Sequence, residues 1–227
     1  MAAADFIPYL YRFLKPRIPD ALWEGDRHGN QIALTFDDGP HPQFTPPLLK
    51  VLETYNVRAT FFWLGSWVQN YPEVAQQVYE AGHQLALHGF QHQPFLFKKP
   101  EEIRQSLQAT QNAIATVCPG APTAIDVRPP YGVCTAKTVR QLKAWGFRTV
   151  MWSVVPIDWT EPGVEIVRQR VIQQTRSGDL IVLHDGSSGG QAVANCTEQI
   201  LPQLLDKGFE FISINEMWAQ RMSKNHV

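Results

Sequence analysis

The segment Ile32-Ala33-Leu34-Thr35-Phe36-Asp37-Asp38-Gly39-Pro40 joins a short apolar run to a polar turn. The apolar run is typical of a β-strand, and the Gly-Pro pair ends it because both residues favour turns. Side chains of a regular strand alternate between faces, so Asp37 and Asp38 can reach one site only where the strand ends. The segment therefore predicts a strand that presents two carboxylates at its carboxyl end, although such a pair is equally typical of a turn cap.

Apolar strand-like runs alternate with amphipathic helical runs along the rest of the chain. About seven such units predict one α/β domain in which helices join parallel strands, an irregular (β/α) barrel. We expect residues 31–221 to form this barrel and residues 1–30 to form an N-terminal extension that packs on it. The predicted strands are 32–36, 58–64, 84–87, a short strand ending before Arg128, 148–154, 179–183 and 209–213. The predicted helices are 44–55, 72–81, 101–117, 135–145, 164–175, 192–206 and 214–221.

Polar residues follow five of the apolar runs: Asp38, His88, Arg128, Asp158 and His184. In (β/α) barrels the catalytic residues lie at the carboxyl ends of the strands. We therefore expect these five residues to converge on one face of the molecule. Taken alone, His184 is more typical of a histidine at the barrel rim, Asp158 of a helix cap and Arg128 of a surface cation.

The stretch His88-Gly89-Phe90-Gln91-His92 places two imidazoles four residues apart in a predicted loop. Together with Asp38 they provide three ligands, the number that a catalytic zinc site uses while its fourth position stays open. These ligand types suit zinc, and cobalt or nickel can substitute. The pattern predicts one divalent-metal site, and it leaves Asp37 free to act as a base on water. Two ordinary loop histidines are the alternative.

The composition limits the possible partners. The chain has 227 residues, of which 44% are hydrophobic, and its 20 basic and 21 acidic residues give a net charge of −1. This balance argues against nucleic acid and against an anionic membrane surface, and it favours a neutral partner. No run approaches the roughly 20 apolar residues of a membrane span, and the opening does not resemble a signal peptide. Compartment and oligomeric state stay open.

Three cysteines are an odd set without a C-x-x-C pair: Cys118, Cys134 and Cys196. This pattern argues against a disulfide framework and against a thiolate zinc site. We expect buried or free thiols, and the sequence does not establish their pairing.

Five ordered motifs together resemble those of the polysaccharide deacetylases, a family of carbohydrate esterases. They are Thr35–Pro40, His88–His92, Arg128–Tyr131, Asp158-Trp159 and the strand ending at His184. The resemblance covers residues 31–215. It implies an irregular barrel with fewer than eight strands, one divalent metal, and an acetylated amino-sugar polymer or oligomer as partner.

The resemblance also implies roles for individual residues. Asp38, His88 and His92 would be the metal ligands. Asp37 would be the general base, and Arg128 would pair with it and orient it.

The remaining implied roles concern the leaving group and the acetyl group. Asp158 would hold His184 in its protonated form, so that His184 can serve as the acid. The backbone N–H of Tyr131 would bind the oxyanion, and Trp159 and Val182 would line a slot for the acetyl methyl group.

Three positions depart from the family pattern. Gly89 stands where Ser or Thr is usual, Val182 replaces Leu, and Val155 replaces a frequent Asp. The first change removes a hydroxyl that could rigidify the loop, and the second slightly widens the slot.

The resemblance implies an enzyme that hydrolyses N-acetyl groups of N-acetylglucosamine units. Two functions other than this N-deacetylation remain open from the sequence. The same site could hydrolyse O-acetyl esters, such as those of acetylated xylan, which need less help from an acid. The chain could also be a non-catalytic carbohydrate-binding barrel, although such a protein needs neither a base nor an acid.

Overall fold

Seven parallel strands form one curved sheet in the computed structural model, which describes residues 13–224. The strands are β1 (Gln31–Asp37), β2 (Thr60–Trp63), β3 (Gln84–Leu87), β4 (Asp126–Val127), β5 (Arg148–Thr149), β6 (Leu180–His184) and β7 (Glu210–Phe211). The helices are α1 (Thr45–Thr54), α2 (Gly65–Asn70), α3 (Pro72–Glu80), α4 (Pro100–Val117), α5 (Ala136–Ala144), α6 (Val164–Gln174), α7 (Val193–Asp206) and α8 (Ile214–Lys224). The predicted α/β class and single irregular barrel are confirmed.

The strand order is β5-β4-β3-β2-β1-β6, and β7 pairs with the first residues of β1. The two edges of this sheet approach each other, because Val154 beyond β5 pairs with Ile181 of β6. Residues before β1 also bridge the edges, since Leu22 pairs with Val150 and Glu24 with Asp179. Part of the predicted extension thus completes the barrel wall. Residues 1–12 of the predicted extension lie outside the described residues, and the boundary between extension and barrel at residue 30 stays a prediction.

The side chains of each strand alternate between the helices and the barrel interior. On β1, Leu34 and Phe36 belong to the main core beneath the helices. The alternate residues of β1 face the barrel interior: Ala33, Thr35 and Asp37. Arg128 donates hydrogen bonds to Thr35 and Asp37 there. β6 repeats this alternation, so Val182 and His184 share the interior. The alternation thus brings side chains from several strands to one site.

Helix α8 closes the end of the barrel at which the strands begin. Three of its residues lie in one buried apolar cluster with interior side chains of the strands: Ile214, Met217 and Trp218 with Ala33, Phe62, Ala86, Val150 and Leu180. A barrel sealed at this end leaves its opposite end, where the strands finish, for ligands.

Several strands are shorter than predicted, among them β2 and β7, and two further differences are larger. The predicted strand 148–154 is shorter, because Met151 donates its N–H to Leu22 and Val154 donates its N–H to Leu180 as the chain crosses to β6. The second difference is α2, a helix of only six residues that was not predicted. It begins at Gly65, whose N–H donates to the carbonyl of Gly89.

The structure also describes the cysteines and the apolar character of the helices. All three cysteines are free thiols, and Cys118 and Cys196 are buried. Among the helices that the structure describes, none is long and apolar enough to cross a bilayer.

Candidate active site

Asp38, His88 and His92 form a cluster at the carboxyl ends of β1 and β3. The Nε2 atoms of both histidines lie 3.4 Å from Oδ1 of Asp38. One potential ligand atom from each residue lies within 4.8 Å of the others. Within the described part of the chain, Oδ1 of Asp38 is buried and accepts no hydrogen bond. Because buried polar atoms are nearly always paired, this oxygen and the two imidazole nitrogens fit a divalent cation.

The local backbone explains how these ligands reach one point. Asp38 has a φ of 78°, a left-handed conformation that is uncommon for residues other than glycine. This conformation follows the end of β1, where the regular alternation of faces would direct adjacent carboxylates apart. His88 directly follows β3, and its Nδ1 lies 2.7 Å from the carbonyl oxygen of Arg128. Donation from Nδ1 leaves Nε2 free for a metal, as in most metal-binding histidines.

His92 completes the cluster from the loop after β3. Burial lowers the pKa of His92 below 6.5, although the neighbouring Asp38 acts to raise it. Its imidazole is therefore neutral at pH 7, the form that binds metals. The ring of Tyr131 lies 4.2 Å from the ring of His92, between centroids. This contact limits the orientations available to the imidazole.

Asp37 and Arg128 form a buried ion pair next to the cluster. Nη1 of Arg128 donates to Oδ1 of Asp37 at 2.6 Å and to Oγ1 of Thr35 at 2.7 Å. Nη2 donates to the carbonyl of Met151 at 2.7 Å, and the guanidinium lies 4.1 Å from the centroid of the Phe62 ring. Arg128 is 0% exposed, so these contacts fix both side chains. Asp37 is therefore held in one position, with its carboxylate beside the cluster of Asp38, His88 and His92.

Replacing Arg128 by Met is expected to destabilise the chelator-treated protein by about 3–5 kcal/mol, because it leaves the Asp37 charge buried without a partner. The free energy of unfolding in urea measures this loss. Arg168→Met is the matched control, because Arg168 pairs with Glu165 on the surface and its loss should leave the urea midpoint nearly unchanged. If Arg128→Met lowers the free energy of unfolding by less than about 1 kcal/mol, the buried charge of Asp37 does not need Arg128 as its partner.

His184 and Asp158 form a second ion pair on the other side of β1. Oδ1 of Asp158 lies 2.9 Å from Nδ1 of His184, and Oδ2 accepts the backbone N–H of His184 at 2.8 Å. Burial acts to lower the pKa of His184, but the charge and hydrogen bond of Asp158 outweigh it and raise the pKa to about 10. The imidazole is therefore positively charged at neutral pH, and Asp158 fixes the orientation of its ring.

A small apolar cluster adjoins His184. Val182 is buried together with Val155 and Ile157, and Trp159 packs against this group. The ring of Trp159 meets that of His184 edge-on at 5.2 Å. Val155, where the family often has Asp, is thus part of an apolar wall.

Tyr131 lies in the loop after β4, with its ring against that of His92. Its side chain is 62% exposed, and its φ of 60° is unusual for a residue with a side chain. The structure thus brings every sequence-predicted site residue to the carboxyl ends of β1, β3, β4, β5 and β6 or to the loops that follow them.

Asp185 is a site residue that the sequence analysis missed. It is 0% exposed, and its Oδ2 accepts a hydrogen bond from Oγ1 of Thr45 at 2.6 Å. Burial raises the pKa of Asp185 to about 7 against the effect of the Thr45 hydrogen bond, and the charges of Asp38 and Asp37 raise it too. The sequence did contain one indication of this residue. Alternation along β6 places residue 185 on the same face as Ile181 and Leu183, which point into the core beneath the helices, and an acidic residue is unusual in that position.

Comparison with known proteins adds evidence that is independent of this geometry. Residues 24–150 match the family model for polysaccharide deacetylase. A peptidoglycan-N-acetylglucosamine deacetylase of Bacillus cereus is 32% identical over 197 residues, covering 86% of this chain and 91% of that protein. A chitooligosaccharide deacetylase of Bradyrhizobium sp. is 35% identical over 199 residues, covering 82% of this chain and 90% of that protein.

A solved structure shows the same fold. The family 4 carbohydrate esterase PdaA of Bacillus subtilis superposes with a TM-score of 0.83 at 26% identity, covering 94% of this chain and 90% of that one. The family model and the relatives extend over most of the chain. This chain belongs to the polysaccharide deacetylase family.

Proposed function

We propose that this protein is a metal-dependent hydrolase that removes N-acetyl groups from N-acetylglucosamine units of a chitin-like or peptidoglycan polymer or oligomer and releases acetate. One observation carries the proposal: the cluster of Asp38, His88 and His92 lies at the same end of the barrel as two ion pairs, Asp37–Arg128 and Asp158–His184. The names of the two relatives, which describe deacetylases of peptidoglycan and of chitooligosaccharide, support this class of substrate.

The residues of the cluster would hold one divalent cation, and zinc suits their two nitrogens and one oxygen. When bound there, the cation supplies Lewis acidity, which polarises an acetyl carbonyl and lowers the pKa of water. The family is metal-dependent, and the cluster of Asp38, His88 and His92 could hold a metal ion. Cobalt and nickel suit the same ligands, so our choice of zinc is part of the proposal.

Asp37 would accept the proton of the attacking water. Its carboxylate is held by the Arg128 hydrogen bond at 2.6 Å, so the base does not have to be ordered during the reaction. The oxygen of that water then forms a bond with the carbonyl carbon of the acetyl group, and negative charge develops on the carbonyl oxygen. The backbone N–H of Tyr131 would donate a hydrogen bond to that oxygen.

His184 would protonate the departing amine. The bond between the acetyl carbon and the nitrogen breaks while Nε2 of His184 gives its proton to that nitrogen, so the products are acetate and a free amino sugar. This step is necessary because an unprotonated amide nitrogen is a poor leaving group. The imidazole has the proton to give, since Asp158 raises the pKa of His184 to about 10 against the effect of burial.

Trp159 and Val182 would hold the acetyl methyl group. Both belong to the apolar cluster beside His184, which offers a methyl group an apolar surface near the proposed acid.

Acetate release tests the proposed function. We would load the protein with zinc and offer chitooligosaccharides, peptidoglycan and acetylated xylan, with a chelated sample as control. We expect acetate and free amino groups from the N-acetylglucosamine substrates, and no acetate after chelation. Release from acetylated xylan alone would establish the O-acetyl esterase instead, and a metal-loaded protein inert on all three would support a non-catalytic barrel.

Replacing Asp158 by Asn is expected to shift the alkaline limb of the kcat/KM profile to lower pH by about 1–3 units. In the wild type, His184 loses its proton only near pH 10. Because this pKa is raised above the value of 6.5 for the unfolded chain, the pair stabilises the fold fully below pH 6.5 and loses that effect as pH approaches 10. pH–rate profiles of both proteins measure the shift.

Asp126→Asn is the matched control for this shift. Asp126 is also a buried carboxylate, and it pairs with Arg148 at the opposite end of the barrel. This variant should lose stability yet keep the alkaline limb of the wild type. An unchanged limb in Asp158→Asn would show that His184 is not the acid.

A further inference from the structure

Asp185 is a buried carboxylate that the proposed mechanism does not use. It follows His184 at the end of β6 and is 0% exposed. It is not among the three residues whose ligand atoms cluster for a metal. A carboxyl group kept wholly out of water at an active site requires an explanation, because burial of such a group is unfavourable unless hydrogen bonds compensate.

The hydrogen bonds of Asp185 lead to the last residue of β1 and to the first residue of α1, which lie on either side of the turn after β1. Oδ2 of its carboxylate accepts a hydrogen bond from Oγ1 of Thr45 at 2.6 Å, whereas Oδ1 is buried without a hydrogen-bond partner among the described residues. The same Thr45 oxygen accepts the backbone N–H of His41 at 2.8 Å. The backbone N–H of Asp185 donates to the carbonyl of Asp37 at 3.0 Å. Asp185 therefore binds the chain on both sides of Asp38.

The two segments also pack too closely for side chains between them. A Cβ atom at Gly39 would overlap the carboxylate of Asp185, and one at Gly186 would overlap the Cβ of Asp38. Glycine at both positions lets the end of β6 lie directly on the turn. The turn thus has little freedom to move as long as Asp185 occupies this place.

We infer that Asp185 is a positioning residue for the metal ligand Asp38. Asp38 holds a left-handed φ of 78° that its side chain disfavours, so the turn needs external hydrogen bonds to keep this conformation. Without Asp185 the turn relaxes, and Oδ1 of Asp38 leaves its place 3.4 Å from Nε2 of His88 and of His92. This inference rests on the proposed metal-dependent function.

Zinc affinity tests this role independently of activity. We would titrate zinc against a chromogenic chelator for the wild type, Asp185→Ala and Asp185→Asn. We expect Asp185→Ala to bind zinc about 10–100-fold more weakly, the usual effect of losing a group that supports a ligand. Its kcat should fall while KM stays close to that of the wild type. Asp185→Asn keeps an oxygen that can accept the Thr45 hydrogen bond, so it should recover most of the affinity.

Asp179→Ala is the matched control, because Asp179 is a buried carboxylate just before the other end of β6 and accepts a hydrogen bond from Ser153 at 2.6 Å. This control should lose stability but bind zinc like the wild type. If Asp185→Ala behaves in the same way, Asp185 is merely structural and the inference is wrong.

Thr45→Val provides a second variant: it keeps the carboxylate of Asp185 but removes the hydroxyl that donates to Asp185 and accepts the N–H of His41. We expect it to weaken zinc binding in the same direction but less than Asp185→Ala, and wild-type affinity in Thr45→Val would overturn the inference even if Asp185→Ala does not fold. The proposed function fails separately: it fails if the wild type binds no metal. It also fails if the zinc-loaded wild type releases no acetate.

Discussion

Asp37→Asn is expected to lower kcat on N-acetylglucosamine oligomers by about 10²–10⁴-fold, the usual contribution of a positioned general base. Asparagine has the same shape, and its side-chain oxygen can still accept the hydrogen bond from Arg128, which is 2.6 Å long in the wild type. It cannot accept a proton from water at neutral pH. KM and zinc content should therefore stay close to those of the wild type. Acetate release under steady-state conditions and metal analysis measure the two effects.

The control for Asp37→Asn must remove a similar charge away from the site. Asp126→Asn does so, because Asp126 is a buried carboxylate bound by Arg148 at the beginning of β4. We expect this variant to retain kcat when assayed well below its unfolding temperature. Loss of zinc in Asp37→Asn would identify Asp37 as a ligand, and wild-type turnover would remove it from the mechanism altogether.

The barrel could be predicted because its strands are short apolar runs with regular spacing. Leu34 and Phe36 face the helices while Thr35 and Asp37 face the interior, and this alternation is a local property of a strand. Polar residues that end several such runs must then meet at one end of the barrel. The arrangement of Asp38 beside His88 and His92 followed from this reasoning and from the ligand types.

Features that depend on distant contacts could not be predicted. Residues 150–154 have a strand-like composition, yet their partners are Leu22 and β6, which no local pattern identifies. Helix α2 has too few residues for a periodic signal, and its first N–H groups bind carbonyls of Gly89 and Phe90. Both elements are determined by tertiary structure rather than by local propensity.

The site residues show the same limit. The pairing of Arg128 with Asp37 was expected from the resemblance, but the carbonyl of Met151 and the hydroxyl of Thr35 as further acceptors were not. The role that we infer for Asp185 depends on its contact with Gly39, which lies far away in the sequence. Sequence motifs thus indicate which groups react, whereas the groups that hold them appear only in three dimensions.

His92→Ala is expected to weaken zinc binding by more than about 10²-fold, since it removes one of three ligands and even supporting groups contribute 10–100-fold. The wild type should gain about 2.7 kcal/mol of stability at a free zinc concentration of 100 times its Kd, because only the folded protein has the assembled site. At that concentration His92→Ala should gain much less, and its acetate release should be lost. Isothermal titration calorimetry and thermal unfolding with and without zinc measure these effects.

His28→Ala is the control for His92→Ala, because His28 is an exposed histidine outside the cluster. It should bind zinc and gain stability like the wild type. The fold of His92→Ala itself should survive, since the His92 side chain is 29% exposed and its removal leaves no closed cavity. Zinc-dependent stabilisation that persists in His92→Ala would place the metal elsewhere. In that case the position of Asp37 beside the cluster would no longer explain its action as a base.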